Sequence, residues 1–395
     1  MKEVLNRRTV TVAVCIFLAG MGFSIIMPIL PYYADAFDAS AFQVGLLMAV
    51  YALCQLIFSP WWGALSDRVG RKPIIILGLL GYAITFIWFA FADSLVMLFI
   101  ARALGGVLAC AALPTAMASM ADLSSEEDRG RAMGLAGASI GMGMIFGPAL
   151  GGLLSSVSLG FPFLVAGLLA LANAIAVIFF LEEPLPAERR SPKLKKQQTL
   201  FLRGLRTPIA LFLVVMFLAS TSETTHQGVF ALYAKGLLDI DSVRIGWAFT
   251  VAGLVSALAQ MMLIGPLLAR WREEKVIGVG LAFIVLAFLL YTHATGFLQL
   301  IIFMGIYALG IALVRPSLNA AASRRTTMEQ GQTMGTLQSF ESLGRVIGPC
   351  VGGILLDVAL PLPYYWAAAV AAIALLALCI KGDLRAVTAE EGAQR

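Results

Sequence analysis

Charge is what this sequence has least of. Of its 395 residues 13% are charged and 60% are hydrophobic, against about 25% charged in ordinary soluble domains. A chain so poor in charge cannot build a water-facing surface, and it needs lipid around it. The cysteines are few as well. Cys15, Cys54, Cys110, Cys350 and Cys379 all fall inside apolar runs and none has CxxC spacing, which argues against a disulfide framework or a cysteine metal site. No Gly-rich phosphate loop ends in Lys-Ser/Thr, and no HExxH or nucleophile elbow is visible, so ATPase, metalloprotease and hydrolase chemistry have no foothold. Neither a metal nor an organic cofactor is expected. The short alternating strands of a membrane β-barrel are missing too.

Long apolar runs are abundant. Crossing a ~30 Å hydrocarbon core takes about 20 residues of helix. Charges, prolines and glycine clusters divide the chain into twelve such segments, at about 10–32, 42–63, 73–92, 95–117, 133–155, 161–181, 207–233, 243–267, 276–295, 297–320, 333–357 and 361–381. The predicted fold is therefore all-α, with twelve transmembrane helices. The basic start, Met1 to Arg8, leads into an apolar run without a small-x-small cleavage pattern, which makes it a retained first helix. The tails and one set of loops hold 23 Lys and Arg, including Arg189, Arg190, Lys193, Lys195 and Lys196, whereas the opposite loops hold only Lys235 and Arg244. The positive-inside rule puts the basic loops and both termini in the cytoplasm. The formal charge of +5 is thus a topology signal that needs no nucleic-acid partner.

A Pro- and Lys-rich linker, 182–206, separates an N-terminal bundle, 1–181, from a C-terminal one, 207–381, followed by a tail, 382–395. A repeat supports this division. Met133-Gly134, Gly143, Gly147-Pro148 and Gly151-Gly152 recur 201 residues later as Met334-Gly335, Gly344, Gly348-Pro349 and Gly352-Gly353. Duplicated bundles related by a pseudo-two-fold axis are typical of secondary transporters.

After the second segment comes Gly63-Ala64-Leu65-Ser66-Asp67-Arg68-Val69-Gly70-Arg71-Lys72. Gly70 suits a tight turn, Pro73 suits the first turn of the third helix, and the basic residues suit a cytoplasmic loop. The fifth segment carries Gly143-x-x-x-Gly147-Pro148-x-x-Gly151-Gly152, where Pro148 cannot donate a backbone hydrogen bond and the glycines permit close helix approach. The first pattern resembles the loop signature of the major facilitator superfamily, with Ser66 off pattern. The second resembles the antiporter motif of its twelve-helix drug:proton exchangers. Pro28-Ile29-Leu30-Pro31 in helix one, and Leu98, Arg102 and Gly106 in helix four, are similar to further patterns of that group. The resemblance implies that Asp67, with Gly63, Arg68, Gly70 and Arg71, latches one conformation against the start of helix eleven near Thr333. It also implies a bacterial cytoplasmic-membrane exporter driven by the proton gradient, in which two bundles rock about a central site. Its partners would be protons, a small-molecule substrate and the bilayer, and it would work as a monomer.

Charge inside the bilayer costs ~2.5–3.5 kcal/mol on insertion scales, so residues that bear it need a task or a partner. Arg102, Glu223, Arg315, Glu341 and Arg345 lie within the segments. Low-dielectric surroundings favour the neutral form of a carboxyl, which lets such a group bind and release protons near neutrality. Glu223, Glu341 and Arg102 are the candidates for proton coupling. Helical spacing adds His226, Gln227, Gln338 and Arg345 to a candidate substrate cavity around the two acids. Glu341 and Arg345, four residues apart, form either an intrahelical ion pair or part of that cavity. Arg315, near a helix end, is expected to snorkel. No acid occurs in Val10 to Leu30 or in Leu309 to Pro316, which departs from relatives with an acid in helix one or ten. Efflux of amphipathic molecules is the leading reading, and a dedicated exporter of one metabolite (a sugar, metallophore or lipid precursor) is the alternative.

Overall fold

A computed structural model describes residues 7–190, 205, 207–326, 328 and 330–393; much of the predicted linker lies outside them. Every element recorded is helical, as hydrocarbon demands, because only a helix or a closed barrel satisfies its backbone hydrogen bonds internally. The N-terminal part contains α1 (Arg7–Asp35), α2 (Ala41–Val69), α3 (Arg71–Ala90), α4 (Leu95–Leu108), α5 (Ala112–Asp122), α6 (Arg129–Ser155) and α7 (Phe161–Phe180). The C-terminal part contains α8 (Ala210–Leu238), α9 (Ser242–Met262), α10 (Ile264–Arg270), α11 (Glu273–Tyr291), α12 (Phe297–Arg325), α13 (Gln330–Val358) and α14 (Leu362–Ala393). Two predicted spans are interrupted by proline. Pro114 lacks the N–H that would bond Cys110, and a 3-10 turn at Ala109–Ala111 joins α4 to α5. Pro266 likewise cannot bond Met262, where α9 stops.

Ten described helices or spans are both long and apolar enough to cross a bilayer. The two remaining long helices, α8 and α13, have 29 residues each, about 43 Å at ~1.5 Å per residue. Length suits them to crossing, and polar side chains are what set them apart. With them the fold has the twelve membrane helices expected.

The chain forms two compact units. The first is Met1–Ser40, Leu46–Gln197 and Ile240–Thr250, and the second is Ala41–Gly45, Gln198–Asp239 and Val251–Arg395. Short ends of α2 and α9 are thus counted with the opposite unit from the rest of those helices. In the first unit α1 packs on α6 and α7, and α3 on α7 and α4; in the second α8 packs on α13 and α14, and α11 on α14 and α12. The pairings are equivalent, as the repeat predicts.

Glycine sets the closest crossings. A Cβ built on Gly147 would lie 2.7 Å from the Met21 carbonyl oxygen, and one on Gly348 would lie 2.5 Å from that of Thr221. Gly143 and Gly151 continue the first seam along α1, at Phe17 and Ile25, while Gly344 and Gly352 continue the second along α8, at Phe217 and Thr225. Residues of α1 and α8 two hundred positions apart therefore occupy the same place. Hydroxyls reinforce both seams: Ser24 Oγ donates to the Gly143 carbonyl at 3.0 Å, and Thr224 Oγ1 to that of Gly344 at 3.0 Å. Gly152 instead lies against Val243 and Gly246 at the start of α9, within the same unit. Pro148 is buried inside α6.

Candidate functional site

The second unit gathers its membrane charges. Glu223 sits midway along α8, Arg315 on α12 and Glu341 on α13. Arg315 Nε donates to Glu223 Oε2 at 3.2 Å, and Nη2 lies 3.2 Å from that oxygen and 2.8 Å from Glu341 Oε1. One guanidinium from α12 therefore serves two carboxylates, one from α8 and one from α13. Gln227 Nε2 donates to the other Glu223 oxygen at 3.0 Å, one turn along α8. The side chains of Glu223 and Glu341 are 9% and 14% exposed, whereas Arg315 is 39% exposed. The acids are withdrawn and their shared cation is reachable.

This geometry amends the expectations from spacing. Arg315 does not simply snorkel; it is the hub. Glu341 has a partner on another helix, beyond the Arg345 expected four residues along α13. Arg345 is half-buried and adds a second positive charge near Glu223. Gln338, one turn before Glu341, is exposed. His226 shares α8 with Glu223 but points into an aromatic cluster, with ring centroids 4.5 Å from Tyr307, 5.0 Å from Phe230 and 5.2 Å from Tyr291. Its Nδ1 and the Tyr364 hydroxyl are 3.3 Å apart, and it is fully buried. That setting is a packing one.

Arg102 belongs to the first unit and both acids to the second. It is 6% exposed, donates from Nε to the Leu47 carbonyl at 3.1 Å and lies over the Tyr51 ring at 4.6 Å. At this mapping Phe23 of α1 stands where α8 has Glu223.

The signature 63–72, read as a loop, is helical through Val69 and breaks only at Gly70. Gly70 has φ +119°, a conformation that glycine alone adopts without strain. Arg71 there pairs with Asp67 at 2.7 Å and with Asp122 at 2.8 Å. Ser66, the off-pattern residue, is buried and accepts from Arg71 Nη1 at 2.6 Å. Arg68 is exposed, and among the described residues a Cβ at Gly63 would meet nothing within 4 Å. Sequence reasoning missed Glu183. Its carboxylate accepts from the amides of Arg71 at 2.6 Å and Lys72 at 3.2 Å, filling the N-terminus of α3 where a helix favours an anion. It occupies the space that a Cβ at Gly70 would need. The second unit has an inverted counterpart: Glu273 and Glu274 at the start of α11 pair with Arg324 and Arg325 at the end of α12. The cysteines are all free, and no metal-holding cluster occurs among the described residues.

Comparison with known proteins adds an independent line. The Major Facilitator Superfamily profile matches residues 12–235 and, again, 212–394. Multidrug resistance protein 2 of Bacillus subtilis is 30% identical over 357 residues, covering 89% of this chain and 89% of that protein. Quinolone resistance protein NorA of Staphylococcus aureus is 28% identical over 394 residues, covering 98% of this chain and 100% of that protein. Among solved structures, the nucleoside transporter NupG aligns with a TM-score of 0.78 at 13% identity, covering 95% of this chain and 99% of that one. A peptide transporter, POT, aligns with a TM-score of 0.78 at 16% identity, covering 94% and 93%. At such identities these two speak for the fold alone.

Proposed function

We propose that this chain, which belongs to the Major Facilitator Superfamily, exports amphipathic small molecules in exchange for protons. Membership makes it a multi-pass membrane transporter. The finer reading is that Glu223 binds the coupled proton, with Arg315 and Glu341 as the groups that respond. The bacterial relatives named for multidrug and quinolone resistance support drug-like substrates, and the skew of Lys and Arg supports a cytoplasmic-membrane protein with both ends inside the cell.

The single observation that carries the reading is one arginine shared between two buried acids on different helices. While both acids are ionised, Arg315 is divided between them. A proton arriving at Glu223 neutralises that carboxylate and leaves Glu341 as the stronger claim on Arg315. Attraction between α8 and α12 weakens, and attraction between α12 and α13 strengthens. Releasing the proton reverses this. A proton gradient can in this way bias helix packing, which alternating access requires.

The test is transport in proteoliposomes under an imposed pH gradient, using cationic, neutral and anionic aromatic dyes. Wild-type protein is expected to move dye against its gradient and to stop when the pH gradient is collapsed. Uptake or efflux that ignores the gradient would overturn proton coupling, and strict selectivity for one compound would favour a dedicated exporter.

A further inference from the structure

We propose that residues 261–275 of the second unit form a docking surface for anionic phospholipid, in which Arg270 and Arg272 take the headgroup phosphate and the apolar residues before them meet the acyl chains. The inference goes beyond transport, since it concerns the outside of the protein and uses none of the residues assigned to proton coupling. The helix α9 has 21 residues, which at ~1.5 Å per residue is about the ~30 Å of a hydrocarbon core. Its end at Met262 therefore falls at the level of the headgroups. The chain breaks there at Pro266 and continues as α10, in which no residue is buried. Met261 and Met262 are 76% and 64% exposed, and Leu263 and Trp271 are exposed as well. A cluster of bare apolar side chains favours lipid over water. Tryptophan is enriched at headgroup depth, and long cationic side chains reach phosphates from it.

The charge follows from a comparison with the first unit. Gly63-x-Leu65-x-x-Arg68 recurs 202 residues later as Gly265-x-Leu267-x-x-Arg270. In the first copy the neighbouring cations are engaged: Arg71 pairs with Asp67 and Asp122, and Lys72 Nζ donates to the Ile178 carbonyl at 2.8 Å. In the second copy Ala269 stands at the place of Asp67 and Arg272 at that of Gly70, so an acid is lost and a cation gained. Glu273 and Glu274, which follow, are drawn to Arg324 and Arg325, with Arg272 adding positive charge near Glu274. Lys275 sits 4.5 Å over the Trp271 ring. Arg270 and Arg272 are exposed, and neither forms an ion pair among the described residues. Two such guanidiniums beside bare apolar side chains match a phosphate joined to acyl chains. A zwitterionic headgroup carries its own ammonium beside the phosphate, whereas an anionic one leaves the phosphate charge to the protein.

The test is tryptophan quenching in full-length protein held in phosphatidylcholine nanodiscs. Bromine is placed on the acyl chains of either phosphatidylglycerol or phosphatidylcholine, and the Trp271 signal is the difference between wild type and Trp271→Phe. Brominated phosphatidylglycerol is expected to half-quench that signal at a mole fraction roughly 10-fold lower than brominated phosphatidylcholine, two cations at about 5-fold each being partly offset by the nearby acids. High salt should shrink the preference. Arg270→Gln combined with Arg272→Gln should bring the two lipids within about 2-fold of each other. Arg129→Gln combined with Arg131→Gln, at exposed cations of the first unit, should leave the preference as it is. Equal quenching of wild type by both lipids overturns the proposal, and so does a preference that survives the Arg270 and Arg272 substitutions. Quenching by neither lipid also overturns it, because Trp271 would then face water and the surface would suit a soluble protein partner. If the double variant does not fold, the wild-type comparison and its salt dependence still decide. Transport is not read, so the outcome is independent of proton coupling.

Discussion

The two glycine seams, α1 on α6 and α8 on α13, share one backbone design and differ in what they carry. Glycines 143, 147 and 151 meet the same register of α1 that glycines 344, 348 and 352 meet on α8. Yet α1 is apolar through its middle, while α8 reads Ser220-Thr221-Ser222-Glu223-Thr224-Thr225-His226-Gln227. The scaffold is present in duplicate, and the membrane acids stand in one copy. A packing motif and a reactive site can therefore be separated within one fold, and substitutions can ask which of the two a residue serves.

The sharpest break in the comparison comes from Glu223→Gln, which preserves shape and the Gln227 contact while removing the titrating group. Proton-driven transport should fall to background with normal amounts of protein in the membrane; wild-type rates with unchanged pH dependence would remove Glu223 from the mechanism. Phe23→Leu, at the equivalent place in the first unit, should leave coupling to protons intact. Next is Arg315→Met. Removing the shared cation leaves two acids without its support, at a cost of about 1–3 kcal/mol once discounted for the solvent exposure of Arg315. Thermal unfolding in detergent should show a drop of several degrees, and adding Glu341→Gln should recover part of it. No recovery would mean that the acids are not coupled through Arg315.

Gly147→Ala and Gly348→Ala set the seams against each other directly. Each adds a methyl group against backbone, so each should cost about 1–3 kcal/mol, with similar falls in melting temperature. A large effect in one unit alone would show that the seams are not equivalent. The smallest effects concern the signature turn. Gly70→Ala should destabilise by about 1–2 kcal/mol through strain at positive φ, and Glu183→Gln by about 0.5–1 kcal/mol through a weakened helix terminus. Both can be read from unfolding curves. If Gly70→Ala were harmless, neither the positive φ nor the close approach of Glu183 would be what fixes glycine there.

Much of this was legible beforehand, for definite reasons. Lipid imposes long apolar runs, so the spans could be located, and the duplicated glycine pattern marked α6 and α13 as equivalents. Boundaries were drawn short, since α2 continues to Val69 and α12 to Arg325; apolarity reports the hydrocarbon, while the helices run past it. Pairings across helices were not legible. Sequence gives a charge its height along a helix but not the direction it faces. Glu341–Arg345 reads equally as an intrahelical pair or as part of a cavity, and Arg315 reads as an end-of-helix residue, until α12 is placed beside α8 and α13. The imbalance of charge is a clue, because Glu223 has no Lys or Arg within one turn. Glu183 was hidden for a similar reason: it follows the last helix of its bundle and meets α3 more than a hundred residues back along the chain.

The polarity of α8 and α13 also bears on how the protein is made. Neither is among the helices that would cross a membrane on apolarity alone among the described residues, and hydroxyls of α8 donate to backbone carbonyls of α13. At the ribosome, α8 emerges about ninety residues before α13. A nascent chain must hold a reluctant segment at the insertion machinery, or shelter it against earlier helices, until its companion is synthesised. Biogenesis of the second bundle is thus cooperative over a long stretch of translation, and lesions in α13 would be felt first as failed integration of α8.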